Sequence, residues 1–256
     1  MWKHILGAGS VALVTLLLHA PAPAQAQALA GRTYVAGAGD DADPCSRIAP
    51  CKTFQGALSR TAAGGIVSVL DTAGYGSATI TRSVSIIAEG TQAGILATPS
   101  GITINADAND VVYLHGLFID MGSSTGGNGI RIVAAGAVHI NKCDIRGFLT
   151  GNGISIAANA ATKVVVSDCS IAHNAVGVSA APQSLGEVVL DRVRLLRNER
   201  GILGQNSRTL FQLSNSIVSG SRIAIDHFAG GVSSFQNNAL IGNLDDGEAM
   251  SPLTLK

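Results

Sequence analysis

The sequence predicts an all-β solenoid, a parallel β-helix closed at its N-terminal end by a short helix. Three observations carry that expectation. A short apolar motif recurs along the chain, each copy alternates apolar and polar residues, and the composition favours strands and tight turns over helices. The motif reads Val138-His139-Ile140-Asn141-Lys142-Cys143-Asp144-Ile145, then Val164-Val165-Val166-Ser167-Asp168-Cys169-Ser170-Ile171, then Val188-Val189-Leu190-Asp191-Arg192-Val193-Arg194-Leu195. An earlier copy runs from Val112 to Ile119, a later one from Phe211 to Val218, and a weaker one from Phe235 to Leu240. Anchored on Leu114, Ile140, Val166, Leu190, Leu213 and Phe235, the steps are 26, 26, 24, 23 and 22 residues. Aromatic residues make up only 4% of the chain while glycine occurs 31 times, a profile of short strands joined by turns.

Taken in chain order, the first segment is a leader rather than part of the fold. Lys3 and His4 form a basic start, and an apolar run extends from Ile5 to about Leu18. It ends in Ala20-Pro21-Ala22-Pro23-Ala24-Gln25-Ala26-Gln27-Ala28, where small residues suit signal peptidase cleavage after Ala26 or Ala28. The run is shorter than the roughly 20 apolar residues that span a bilayer. Residues 1–28 are therefore expected to be a signal peptide, and the mature chain to be secreted or periplasmic, with no stable membrane insertion. Removing Lys3 leaves 16 basic against 17 acidic residues, since the full chain has 17 of each. That balance provides no field for gathering nucleic acid.

Residues 29–65 are expected to form an N-terminal cap. Phe54, Ala57, Leu58 and Thr61 fall on one helical face, and Gly64-Gly65 is expected to end the helix. Cys45 and Cys51 each follow a proline in a chain bound for an oxidising compartment. A disulfide across this short loop is expected, contributing roughly 2–2.5 kcal/mol in the chain-entropy model. Ligands for a metal site are not visible around them.

Residues 66–244 carry the coils. Each unit holds apolar-x-apolar, a polar corner, and apolar-x-apolar again. A further strand follows glycine in Gly129-Ile130-Arg131-Ile132, Gly153-Ile154-Ser155-Ile156, Gly177-Val178 and Gly201-Ile202. One strand-only unit cannot cover its own apolar face, whereas stacking at about 4.8 Å pairs each coil with its neighbours. Leucine-rich repeats have similar length, but their LxxLxLxxN framework is missing. Residues 245–256 are read as a C-terminal tail.

Tyr34-Val35-Ala36-Gly37, Pro50-Cys51-Lys52-Thr53-Phe54-Gln55-Gly56-Ala57-Leu58 and Gly64-Gly65-Ile66-Val67-Ser68-Val69 carry a family resemblance. From about Arg32 to the C-terminus the chain resembles the pectin-lyase-like superfamily of single-stranded right-handed parallel β-helix proteins. Within it, the chain resembles a subgroup of secreted bacterial members carrying a "GDDADPCSR…PCKTF" segment. The resemblance implies a right-handed solenoid whose short helix plugs the first coil. Enzymes of that superfamily cleave acidic polysaccharides, and their signatures are missing here. Asp245-Asp246 stands without the GHG and RIK blocks of polygalacturonases. Ile225-Asp226-His227 resembles part of the WIDH segment of pectate lyases, without its tryptophan or the later Arg-Pro-Arg.

Other residues repeat across coils. Cys143 and Cys169 share a repeat position; their parallel Cβ directions suit a buried thiol ladder better than a second bridge. Asn174 and Asn198 match in the same way and suit a turn ladder, with sugar contact as the alternative. The densest charge lies in Arg192, Arg194, Arg197 and Arg200, flanked by Asp168, His173 and Asp191. These seven residues form the candidate binding patch, either a salt-bridged solvated face or an arginine grip on carboxylated sugar. The leading functional expectation is a non-catalytic exported protein that binds polysaccharide or cell-envelope glycan, or serves a structural role, without cofactor or metal. The alternative is a polysaccharide lyase or glycoside hydrolase with an unfamiliar site.

Overall fold

The computed structural model describes residues 28–122, 126–227 and 231–254. The expected leader, residues 1–28, lies outside them except for its last residue. The described chain is an all-β parallel solenoid of about seven turns. Its strands stack into a ten-stranded sheet A and two eight-stranded sheets, B and C. Each turn runs from sheet A through a tight corner to sheet B, then through a second corner to sheet C. Every strand pairing among the described residues is parallel, so each backbone ladder bonds to the coil before and the coil after it.

The repeat sets the register of sheet A. Ile86, Leu114, Ile140, Val166, Leu190 and Leu213 occupy one pairing column, and all are buried. In sheet C the column runs Ile102, Ile130, Ile154, Val178, Ile202 and Ile225. Glycine precedes this strand because the chain is pressed against its neighbours there. A Cβ on Gly153 would lie 2.5 Å from Ile171 Cγ2 and 2.8 Å from the Gly177 carbonyl oxygen.

The final anchor differs from the sequence expectation. Leu213 pairs with Ser234, and Phe235 is only half-buried. Ile217 pairs with Ala239, so the last coil uses five steps where its predecessor uses four. That extra residue shifts the apparent repeat by one. The stack also continues past Leu244. Asp245–Gly247 pairs with Ile223–His227, and Ser251–Pro252 pairs with Val232–Ser234, so parts of the expected tail belong to the solenoid. These last described strands are exposed at every residue, so the apolar alternation fades from their sequence.

The capping helix spans Phe54–Arg60, with Phe54, Ala57 and Leu58 buried against the first coil. Thr53 caps it, its hydroxyl accepting from the Gly56 amide at 2.9 Å. The expected stop at Gly64-Gly65 is corrected: the helix ends at Arg60, and Thr61 already begins the strand Thr61–Val69. The cause is pairing with Ala30–Val35, which pulls the β-branched Thr61 into extended backbone. Cys45 and Cys51 are joined as a disulfide, and Cys51 bridges to Val35 beside it.

Candidate functional site

Two columns of corners decide where charged side chains emerge. Between sheets A and B, Gly116, Lys142, Asp168, Arg192 and Asn215 all have φ between 50° and 72°. Between sheets B and C, Gly147, His173, Arg197 and Gly220 have φ between 51° and 85°. A non-glycine residue in this left-handed region costs about 1–2 kcal/mol, which neighbouring ladder bonds must offset. In return the chain turns sharply and the corner side chain points to solvent. Asp168 and Arg192 thus sit on successive coils, as do His173 and Arg197.

The corners bring the arginine coil together and also neutralise much of it. Arg192 Nε lies 2.7 Å from Asp168 Oδ1, and Arg192 also pairs with Asp191. The hydrogen bond from Arg192 holds the Asp168 carboxyl below its ordinary range. Arg200 Nε lies 2.7 Å from Asp226 Oδ2. Arg194 and Arg197 are exposed and make no ion pair among the described residues; His173 is exposed nearby.

The two ladders are internal. Asn198 Oδ1 accepts from the Asn174 backbone amide at 3.0 Å and from its side-chain amide at 3.1 Å. Asn198 Nδ2 donates to the Ile171 carbonyl, while Asn174 Oδ1 accepts from the Phe148 amide. Burial excludes sugar contact for both asparagines. Cys143 and Cys169 are free, buried thiols, and the Cys143 amide points at Cys169 Sγ from 3.3 Å. The hydrogen bond with Cys143, and then burial, push the Cys169 thiol up, which disfavours its reactive thiolate form.

A concave feature that the sequence reasoning missed lies two coils earlier. Two adjoining depressions, each about 400 Å³, share Glu89 and His115. One sits at the corner between sheets A and B and is lined by Gln92, Phe118, Lys142 and Asp144. The other lies on the outer face of sheet A, where Tyr113 stacks on His139 with ring centroids 4.5 Å apart and planes 9° from parallel. Tyr113 and His139 face each other because they are register partners on adjacent strands. Tyr113 is 47% exposed, so part of the residue remains accessible. Burial holds His139 below its ordinary value, which keeps it neutral at neutral pH.

Asp144 gives the corner its chemistry. It is half-buried, and burial raises its pKa above the usual carboxylate value, against the pull of Arg146 and Arg194. Arg146 itself is held by Asp120 at 3.3 Å and lies 4.4 Å over the Phe118 ring. The sequence did hold a faint signal: Tyr113 and His139 occupy the same outward position of two copies of the repeat. Among the described residues, no group of three or more His, Cys, Asp or Glu side chains could hold a metal ion. No described helix is long and apolar enough to cross a membrane.

Three stacked parallel sheets with a capped first coil make a parallel β-helix whose fold is pectin-lyase-like. A solved rhamnogalacturonan lyase superposes with a TM-score of 0.55 at 13% identity, covering 79% of this chain and 72% of its own. A solved pectate lyase, Pel9A, superposes with a TM-score of 0.54 at 15% identity, covering 86% of this chain and 79% of its own. At these identities the likeness is one of fold. No protein-family model matches the sequence, and no curated protein sequence matches it significantly.

Proposed function

We propose that this chain is an exported, non-catalytic β-helix that binds polysaccharide or cell-envelope glycan. The observation that carries the reading is the exposed Tyr113, stacked on His139 at the wall of a groove. A flat aromatic surface beside hydrogen-bonding side chains matches a pyranose ring, which is apolar on its faces and polar at its rim. Export is supported by the leader-like N-terminus and by the Cys45–Cys51 disulfide, which persists in oxidising compartments. The names of the structural neighbours add that this fold elsewhere accommodates polysaccharide.

The test is a glycan array probed with the mature protein, run beside assays for new reducing ends and unsaturated sugar products. Binding without product is the expected result. Product formation would replace the binding role with a lyase or hydrolase, whereas a blank array would remove the carbohydrate reading altogether.

A further inference from the structure

The carboxylates of the coils differ in their partners. Asp120, Glu187, Asp168, Asp191, Asp226 and Glu199 each form an ion pair with a neighbouring Arg or Lys. Glu89 and Asp144 form none among the described residues and accept no hydrogen bond from another protein group there, yet both line the corner depression. An ionised carboxylate is acceptor-only, with two oxygens that can take a pair of hydroxyl donors. Lys142 is the single permanently cationic side chain of this lining.

The shape is equally specific. The two depressions follow the strand direction around one corner and span three coils, at residues 85–92, 113–118 and 139–144. Strands spaced about 4.8 Å apart make that floor about 10 Å wide along the solenoid axis. A chain seated in it crosses the axis, with one ring on Tyr113 and the next sugars over Glu89 and Asp144. A polyuronate placed so would set its own carboxylates against two acidic side chains, and like charges in a partly desolvated site repel.

We infer that this transverse groove takes an uncharged, hydroxyl-rich oligosaccharide and disfavours polyuronates such as pectate. The inference rests on the glycan-binding reading above and adds the ligand class to it. Lys142 in the same lining disfavours a cationic chain, so a neutral one suits the site best.

The deciding experiment uses titration calorimetry on the mature protein. The probes are the neutral oligosaccharide that binds best on the array, a chitosan oligosaccharide and an oligogalacturonate of equal length. Wild type is compared with Tyr113→Ala and with the Glu89→Gln/Asp144→Asn double variant, with circular dichroism confirming that each is folded. The neutral chain should bind at least about tenfold more tightly than the oligogalacturonate, a difference of about 1.4 kcal/mol. Tyr113→Ala should weaken it about tenfold, and the double variant should narrow the preference over oligogalacturonate. Equal or tighter binding of oligogalacturonate, or of the chitosan chain, would overturn the ligand class while leaving the glycan reading intact. Neutral binding indifferent to both sets of substitutions would overturn the groove as its site. If nothing binds, the glycan reading fails first and this inference with it.

Discussion

The corner around Arg192 and the corner around Lys142 lie two coils apart in the same column, and both combine basic and acidic side chains. Around Arg192 each acidic group has a partner: Asp168 and Asp191 both close on the guanidinium. Around Lys142 the acids are left over, with Asp144 half-buried and Glu89 exposed, and the surface is concave. The first region spends its charge holding adjacent coils in place. The second keeps polar groups free beside the exposed Tyr113. Density of charge therefore goes with structural pairing at Arg192, and the proposed ligand site is the sparser corner.

That comparison presumes that both regions ride on one rigid stack, and the largest expected effect tests the presumption. Val166 is fully buried between Ile140 and Leu190 in the central column of sheet A. Val166→Asp would place an unpaired carboxylate among aliphatic neighbours and should cost about 4 kcal/mol or more, read as a collapsed denaturation midpoint or failure to fold. An unchanged midpoint would mean the register is wrong and the two corners do not share a column.

A middle-sized effect separates scaffold from site. Asn198→Leu removes the acceptor of two Asn174 groups and the donor to Ile171. Leaving those buried groups unpaired should cost about 1–3 kcal/mol in chemical denaturation. Glycan affinity in the groove should stay as in wild type once the variant is folded. Loss of binding without loss of stability would place the ligand at the arginine coil instead.

The contrast between ladder and groove also explains what could be read from sequence. The column Leu114, Ile140, Val166, Leu190 and Leu213 was legible because burial every second residue leaves a period-two imprint. The Phe54 helix face and the Cys45–Cys51 disulfide were legible for a similar reason, since local spacing dictates them. The helix end at Arg60 was not, because a strand partner distant in sequence, Ala30–Val35, sets it. Nor were the left-handed corners, where Lys142, Asp168, Arg192 and Arg197 stand in backbone usually marked by glycine or asparagine. Without those corners the groove cannot be assembled, so Glu89 and Asp144 look like ordinary solvated charges.

Two single substitutions should give small effects of opposite sign. The pKa of Asp144 is raised in the folded protein, so its contribution to stability is present below the unfolded carboxyl value and lost as pH rises through the folded one. Asp144→Asn should therefore raise the melting temperature at neutral pH and leave it unchanged in strong acid. The pKa of Asp168 is depressed, so its contribution is present at neutral pH and lost as pH falls through the folded value. Asp168→Asn should lower the melting temperature at neutral pH, again with no change in strong acid. Both shifts should be a few degrees at most, because these groups are partly screened by solvent. The same sign for both variants at neutral pH would erase the distinction between committed and uncommitted carboxylates.

The smallest expected effect is on ligand binding at the arginine coil itself. Arg194 shares an outward column with Asp144 and Ser170, two coils from the groove, while Arg192 is already occupied by Asp168 and Asp191. In the Arg192→Ala/Arg194→Ala double variant, affinity for the neutral oligosaccharide should stay within about twofold of wild type, which is about 0.4 kcal/mol. It should also change little with added salt, because no full charge pair forms between an uncharged chain and the protein. The rival assignment, an arginine grip on carboxylated sugar, gives the reverse pattern. Oligogalacturonate would then bind well, weaken steeply as salt rises, and be lost in the double variant while Tyr113→Ala bound it normally. Of the four arginines there, only Arg194 and Arg197 form no ion pair among the described residues, and both stand exposed to water on the surface. Two exposed guanidinium groups on such a surface bind weakly, so the affinity should follow Tyr113 and not the arginines.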